Sequence, residues 1–175
     1  MIPEIKKVLY ATDLTKNSAY AFRYAIKVSL STGAKITILH VTKKMDPVGE
    51  IPVIVQLGEK RYRQLVEEKK EEVVKRIKKR LEEFAKKELK DEPEGIKRVS
   101  SIVVKEGEPA VEILDMAEQE DSDLIIMGSH GKGSKYTFLG SVTQRVLRHI
   151  KRPVLVVPIP EGKIDISYAE DDTFL

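Results

Sequence analysis

The stretch Asp123-Leu124-Ile125-Ile126-Met127-Gly128-Ser129-His130-Gly131, with Gly140-Ser141-Val142 shortly after it, carries the strongest signal in this sequence. Its apolar run, 124–127, is typical of a fully buried parallel strand and stops at Gly128. Gly140-Ser141 then opens a helical pattern, with Val142, Val146 and Ile150 at four-residue spacing. A strand, a glycine-containing loop and a helix N-terminus collect backbone N–H groups and a positive dipole end at one place. The stretch therefore predicts a cradle for the phosphates of a nucleotide.

The stretch does not follow the two best-known phosphate-binding motifs. In a P-loop, Ser or Thr would follow Gly131-Lys132, but Gly133 stands there, and Ile126 occupies the place of the first glycine. The dinucleotide fingerprint is not spelled out either. Taken alone, the glycines are more typical of a simple strand end at Gly128 and a close-packed helix start at Gly140.

Composition narrows the class of protein. The chain has 175 residues, which suits one domain with a substantial core. Its 31 basic residues nearly balance its 28 acidic ones, so it lacks the field that nucleic acid binding requires. No apolar run approaches the roughly 18 residues of a membrane helix, and no signal-peptide pattern opens the sequence. The absence of cysteine excludes disulfides, thiolate catalysis and cysteine-ligated metals. We expect a cytoplasmic protein that binds neither nucleic acid nor membranes.

Strand-like and helix-like segments alternate along the chain. Runs rich in β-branched or apolar residues predict strands at 5–11, 35–41, 99–105, 124–127 and 154–157. Helical periodicity is found at 17–31, at 59–89, from Pro109 to about 120 and after Gly140. The remaining segments predict a loop at 46–57, a turn at 91–95 and an acidic tail at 159–175. We therefore predict one domain, 1–158, followed by the tail.

This alternation predicts an α/β protein with a doubly wound parallel sheet and helices on both faces. Such sheets bind ligands at the carboxyl ends of their strands. Thr12-Asp13, Val41 and Gly128 all stand at such ends, so we expect them to converge. Asp13 has an alternative role, because Thr12-Asp13 is also typical of a turn or helix cap.

The long helical segment carries the basic run Lys75-Arg76-Ile77-Lys78-Lys79-Arg80. Acidic residues stand one turn away on either side, at 71–72 and 82–83. We therefore interpret the run as a solvated helix face rather than as a nucleic-acid patch.

Together these segments resemble the universal stress protein family, over nearly the whole of 5–158. The resemblance rests on the opening stretch and on Ile5-Lys6-Lys7-Val8-Leu9-Tyr10-Ala11-Thr12-Asp13, Gly107-Glu108-Pro109-Ala110-Val111-Glu112-Ile113-Leu114, Leu139-Gly140-Ser141-Val142-Thr143 and Arg152-Pro153-Val154-Leu155-Val156-Val157. It implies a Rossmann-like sheet of five parallel strands in the order 3-2-1-4-5. It also implies an ATP-binding regulator of the stress response.

ATP-binding members of that family share the pattern of Gly, two residues, Gly, nine residues and Gly-Ser or Gly-Thr. Gly128, Gly131 and Gly140-Ser141 match, but only eight residues, 132–139, separate the second and third glycines. The resemblance places Asp13, Val41 and Ala11 at the adenine and ribose, the backbone of 128–131 along the sugar and phosphates, and 140–142 at the β- and γ-phosphates. The expected nucleotide-binding residues are Ala11, Thr12, Asp13, Val41, Met127, Gly128, Ser129, His130, Gly131, Gly140, Ser141 and Val142.

The sequence contains no catalytic constellation near these residues. His130 is the single histidine beside the expected phosphates, and a lone loop histidine is more typical of a polar surface residue than of a general base. A divalent metal such as Mg²⁺ would fit on the phosphates, although no cluster of protein ligands is visible. We expect a binding module whose ATP hydrolysis, where it occurs, is slow or depends on a partner.

Two further hypotheses stay open. The shortened glycine loop favours an interaction module of the same fold that binds no nucleotide and acts through a dimer surface. An enzyme that hydrolyses nucleotides or transfers adenylate would need a catalytic group that the sequence does not display.

The last strand, 154–157, would leave an apolar sheet edge exposed. The resemblance implies a homodimer in which this strand pairs with its copy, unless the acidic tail covers the edge.

Overall fold

The computed structural model describes residues 2–42, 56, 58–91, 93–130 and 139–158. The elements, in chain order, are β1 Lys7–Thr12, α1 Lys16–Thr32, β2 Lys35–Thr42, α2 Glu59–Glu88, α3 Pro93–Ile96, β3 Val99–Glu106, α4 Pro109–Gln119, β4 Leu124–Gly128, α5 Ser141–Arg148 and β5 Val154–Val157. The five strands form one parallel sheet in the order β3-β2-β1-β4-β5. The predicted doubly wound, Rossmann-like sheet and its strand order are confirmed.

Some sequence predictions concern residues outside the described ranges. These are Gly131, the tail at 159–175 and, apart from Gln56, the loop at 46–57. The division of the chain into a domain and a tail therefore stays a prediction.

One face of the sheet is covered by α1 and α2, and we call it the α1/α2 face. Tyr10 of β1 and Ile38 of β2 are fully buried there, together with Phe22 of α1 and Leu81 of α2. The rings of Tyr10 and Phe22 lie 5.2 Å apart, centroid to centroid. Burying one such apolar side chain contributes roughly 1.5–3 kcal/mol, so this core holds both helices against the sheet.

The opposite face is covered by α4 and α5, and we call it the α4/α5 face. Leu9 of β1 and Met127 of β4 pack there with Ile113 of α4 and Val146 of α5. Successive strand residues point to opposite faces, so Leu9 and Tyr10 enter different cores. The next residues of β1, Ala11 and Thr12, divide between the two faces in the same way.

Local signals fix the helix ends. Thr15 caps α1 and accepts a hydrogen bond from the Ser18 amide, while Gly33 ends the helix at a φ of 80° that favours glycine. Glu108 caps α4 by accepting from the Val111 amide at 3.0 Å, and Pro109 occupies the first turn, as the sequence predicted.

Three details differ from the sequence predictions. The predicted turn at 91–95 instead contains the short helix α3, because Pro93 supplies a helical φ at its first position. The first strand starts at Lys7 rather than Ile5, since the Lys6 and Lys7 amides donate to the Asp123 side chain. Helix α5 ends at Arg148, so Ile150 lies beyond it and is 40% exposed.

Candidate functional site

The chain turns in opposite directions from the two central strands. Helix α1 follows β1 on one face of the sheet, and α5 follows β4 on the other. A crevice therefore opens at the carboxyl ends of β1 and β4, where open α/β sheets bind ligands. Ala11 and Met127 are register partners at this point, and both are buried in the α4/α5 core.

Three hydrogen bonds fix the end of β4: one joins it to β5 and two join it to the start of α5, and we call the three together the β4–α5 clamp. The Ser129 amide donates to the Val157 carbonyl at 2.8 Å, and the Gly140 amide donates to the Ser129 carbonyl at 2.8 Å. The Thr143 hydroxyl donates to the Gly128 carbonyl at 3.0 Å. The Ser129 and Thr143 side chains are both 3% exposed. The clamp therefore brings the predicted Gly140-Ser141 helix start beside Gly128.

The N-terminus of α5 has the properties of an anion site. Gly140 stands at the cap position with φ −67° and ψ 159°, and it has no side chain that could occupy the helix end. The first turn contains no acidic residue. The first amides of a helix have no acceptor within it, and the dipole places partial positive charge there. A phosphate at this point would meet backbone N–H groups, and no carboxylate of the helix's own first turn would compete with it.

On the other side of the crevice, Asp13 is exposed and shapes the turn that leads into α1. Its Oδ1 accepts from the Thr15 amide at 3.1 Å and from the Thr15 hydroxyl at 2.6 Å. Thr15 in turn caps the helix. The turn role that the sequence offered for Asp13 is therefore present in the structure. A carboxylate carries a second oxygen, so this role does not prevent Asp13 from accepting from a ligand as well.

His40 is a residue that sequence reasoning missed. It faces Thr12 across the β1–β2 register, and its Nδ1 lies 2.8 Å from the Thr12 carbonyl oxygen. Burial lowers the pKa of His40, and the positive charge of Arg80 lowers it further. The hydrogen bond to Thr12 and the charge of Asp13 act in the opposite direction and raise it. The sequence offered one indication of where His40 lies. It stands in a β-branched run one residue before Val41, which packs against the α4/α5 core, so His40 belongs to the other face of the sheet.

The structure brings most of the expected residues to the two sides of one crevice. Four apolar ones belong to the α4/α5 core or pack against it: Ala11, Val41, Met127 and Val142. Gly128, Ser129, Gly140 and Ser141 lie at the β4–α5 clamp. The His130 Nδ1 lies 2.8 Å from the Ser129 hydroxyl. Thr12 and Asp13 lie at the start of α1, and Gly131 is outside the described residues. The arrangement offers an apolar wall for a base and N–H groups for an anion.

The described ranges contain neither a metal-binding cluster nor a membrane-spanning helix. There, no group of three or more His, Asp or Glu side chains is placed to hold a metal ion. No helix of that part of the chain combines the length and the hydropathy needed to cross a membrane.

The chain is similar to known proteins of one family. The model of the universal stress protein family matches residues 4–158. Universal stress protein MJ0577 of Methanocaldococcus jannaschii is 36% identical over 158 residues, covering 87% of this chain and 94% of that protein. Its solved structure superimposes with a TM-score of 0.66 at 31% identity, over 91% of this chain and all of the other.

Two more distant structures share the fold. One is a universal stress protein in complex with cAMP, with a TM-score of 0.51 at 20% identity over 89% of this chain and 98% of that one. The other is an Arabidopsis thaliana member with AMP bound, with a TM-score of 0.54 at 16% identity over 89% of this chain and 93% of that one. At these identities the likeness concerns the fold alone.

Proposed function

The chain belongs to the universal stress protein family, and we propose that it binds an adenine nucleotide in the crevice between β1 and β4. The first candidate is ATP. Binding would make it a nucleotide-responsive regulator of the stress response. The observation that carries the proposal is the β4–α5 clamp, which sets the N-terminus of α5 beside Gly128.

Each part of the crevice suits one part of the ligand. The wall formed by Ala11, Val41 and Met127 is apolar and suits the adenine ring. The exposed carboxylate of Asp13 suits the ribose hydroxyls as an acceptor. The helix start at Gly140-Ser141 suits the β- and γ-phosphates, because it combines N–H donors with a positive dipole end.

The family supports an adenine nucleotide as the class of ligand. Solved relatives of the same fold carry cAMP and AMP. The glycine spacing of this chain is one residue shorter than the family's ATP pattern, so the number of phosphates is the open part of the proposal. Mg²⁺ would then be held by the phosphates and water, since the described residues gather no set of protein ligands.

We propose a role in binding rather than in catalysis, in the cytoplasm. The polar groups described at the crevice are used in holding its shape: Asp13 bonds Thr15, and Thr143 bonds Gly128. The His130 Nδ1 lies at hydrogen-bond distance from the neighbouring Ser129 hydroxyl. These contacts position backbone groups and do not assemble an activated nucleophile.

Calorimetry tests the proposal directly. ATP, AMP and cAMP are titrated into the purified chain with and without Mg²⁺, and GTP serves as the control for base recognition. We expect saturable binding of at least one adenine nucleotide and a higher melting temperature. At a ligand concentration of 100 Kd the stabilisation is about 2.7 kcal/mol. The absence of heat and of any thermal shift at millimolar nucleotide would overturn the proposal.

The edge strand β5 supports a second candidate function, that of an interaction module. Within the described chain β5 pairs only with β4, and Val154, Leu155 and Val156 are half-buried rather than buried. An apolar edge of this kind invites pairing with another strand. We propose that β5 pairs with its copy in a homodimer, and that this surface acts with or without nucleotide.

A further inference from the structure

A cavity of about 220 Å³ lies between α1 and α2 at the carboxyl edge of the sheet. Its wall on the α1 side includes Leu14 and Thr15, and its wall on the α2 side includes Arg80, Phe84 and Lys87. Ligand pockets for larger molecules enclose roughly 300–1,000 Å³, so this cavity suits a compact molecule and is too small for a nucleotide.

The cavity is separate from the proposed nucleotide crevice. It borders Leu81, which belongs to the core of the α1/α2 face. The expected adenine wall, formed by Ala11, Val41 and Met127, packs into the core of the α4/α5 face. The two sites therefore lie against different cores and meet at Thr12, which is the one expected nucleotide residue among the described lining residues.

The lining combines positive charge with apolar surface. Arg80, Phe84 and Lys87 stand four and three residues apart on α2, which places them along one side of the helix. Among the described lining residues Arg80 and Lys87 are basic and Glu83 is the one acid, so basic side chains predominate. The Arg80 guanidinium is half-buried and presents a planar set of donors that matches a carboxylate or phosphate.

The start of α1 forms the other side of the cavity. Thr15 caps α1 and lines the cavity, and the first turn of that helix contains no acidic residue. The dipole of a 17-residue helix places partial positive charge on the side opposite Arg80 and Lys87, next to the exposed Asp13 carboxylate that accepts from Thr15. Leu14, which precedes the cap, adopts a φ of 64° and contributes apolar surface to the cavity beside Phe84.

We propose that this cavity binds a small organic anion. Its carboxylate or phosphate group would lie at Arg80 and Lys87, and its apolar part would pack on Leu14 and Phe84. The proposal does not depend on nucleotide binding, because the four residues at which the anion would lie are not among the expected nucleotide residues.

The test is an NMR titration of the full chain, ¹⁵N-labelled, with two probes. Benzoate and phenyl phosphate carry the same apolar ring and differ in the anionic group, so they distinguish a carboxylate site from a phosphate site. Benzyl alcohol tests the ring without charge, and inorganic phosphate tests the charge without the ring. We expect saturable shifts of the Leu14, Thr15 and Phe84 amides with at least one of the two probes, and much weaker effects with both controls.

Variants show which charges are responsible. Arg80→Gln and Lys87→Gln should each weaken the binding of the probe at least tenfold, while Lys86→Gln, on the exposed neighbour that does not line the cavity, should leave it unchanged. Arg80→Lys preserves the charge and should bind with intermediate affinity, which covers the case in which Arg80→Gln unfolds. Saturating ATP should leave the affinity for the probe intact.

Three results would overturn the proposal. One is the absence of saturable shifts up to millimolar probe. Another is binding of inorganic phosphate or benzyl alcohol as tight as that of the probes. The last is a response confined to Gly128, Ser129 and Ser141, which would place the probe in the other crevice.

Discussion

The hydroxyl of Thr143 donates a hydrogen bond to the carbonyl oxygen of Gly128 across 3.0 Å. This bond joins the first turn of α5 to the last residue of β4. The Thr143 side chain is 3% exposed, so water does not readily replace it. One buried hydroxyl therefore helps to set where the positive end of α5 lies relative to the sheet.

Replacing that hydroxyl should affect both stability and binding. Thr143→Val keeps the shape of the side chain but leaves the Gly128 carbonyl without this donor, which costs roughly 1–3 kcal/mol. Each 1 kcal/mol corresponds to a melting temperature lower by about 2–4 °C in a protein of this size. If about 1 kcal/mol of this cost also applies to the free energy of nucleotide binding, ATP affinity falls roughly fivefold. Thr143→Ser retains the hydroxyl and should stay close to the original protein in calorimetry. Unchanged stability and affinity in the valine variant would show that the bond contributes nothing.

Gly140→Val tests the proposed phosphate position. Gly140 has a φ of −67°, which any residue adopts, so the variant should fold and give an unchanged circular dichroism spectrum. The valine side chain would stand where phosphates approach the backbone. ATP affinity should fall at least tenfold, equivalent to about 1.4 kcal/mol. A folded variant with full affinity would place the phosphates elsewhere.

Two substitutions at Asp13 separate its turn role from its proposed ligand role. Asp13→Asn keeps an oxygen that accepts from Thr15 but removes the charge, whereas Asp13→Ala removes both. We expect the asparagine variant to keep its melting temperature and lose nucleotide affinity, and the alanine variant to lose some of each. If Asp13 serves only the turn, the asparagine variant will bind nucleotide normally.

His40 should make stability depend on pH. Its pKa is lowered in the folded protein, mainly by burial, while the unfolded chain titrates near the ordinary value of about 6.5. Below that pH the unfolded state binds the proton more readily, so the free energy of unfolding falls as the pH decreases. The decline ends once the pH lies below the folded pKa. Urea unfolding from pH 7.5 to 5 measures it.

The matched variants for this measurement are His40→Asn and His149→Gln. Asparagine can still donate to the Thr12 carbonyl but does not titrate, so the decline should shrink. His149 is exposed at the end of α5, and its replacement should leave the decline in place. An equal decline in the His40 variant would assign the effect to other groups.

Val156→Lys tests the proposed dimer. The substitution places a charge within the edge strand β5, where a copy of the strand would have to pair. Light scattering should find folded monomers. Val111→Lys on α4 is the matched control, since Val111 is 47% exposed and is not part of the sheet edge. A monomeric unmodified protein at micromolar concentration would refute the dimer and favour the acidic tail as the cover of β5.

The sequence predicts those parts of the fold that depend on neighbouring residues. The run Leu124–Met127 is a strand because it is apolar, and Gly33 ends α1 because its φ is positive. The start of β1 shifted by two residues because the side chain of Asp123 takes the Lys6 and Lys7 amides. That contact depends on the pairing of β1 with β4, which the propensities of neighbouring residues do not reveal.

The same limit applies to the candidate site. The carboxyl ends at Thr12-Asp13, Val41 and Gly128 could be expected to converge, because parallel strands end on one edge. The bond from Thr143 to Gly128 spans 15 residues and depends on how α5 docks. The His40 contact depends on the β1–β2 register, and the cavity depends on α1 and α2 packing side by side. None of these features can be recognised from the spacing of residues in the sequence.

The central position of β1 also affects how the chain is made. The hydrogen bond from its first residue, Lys7, to Asp123 joins residues 116 positions apart, whereas its other neighbour, β2, follows within one helix. A ribosome adds roughly 5–20 residues per second, so on the order of 10 seconds separate the synthesis of β1 from that of β4. During that interval the half-sheet β1-β2-β3 exposes the edge of β1 that β4 will later cover. The nascent chain is therefore most open to misassociation before its second half emerges, and this is the period in which a chaperone would have most to protect.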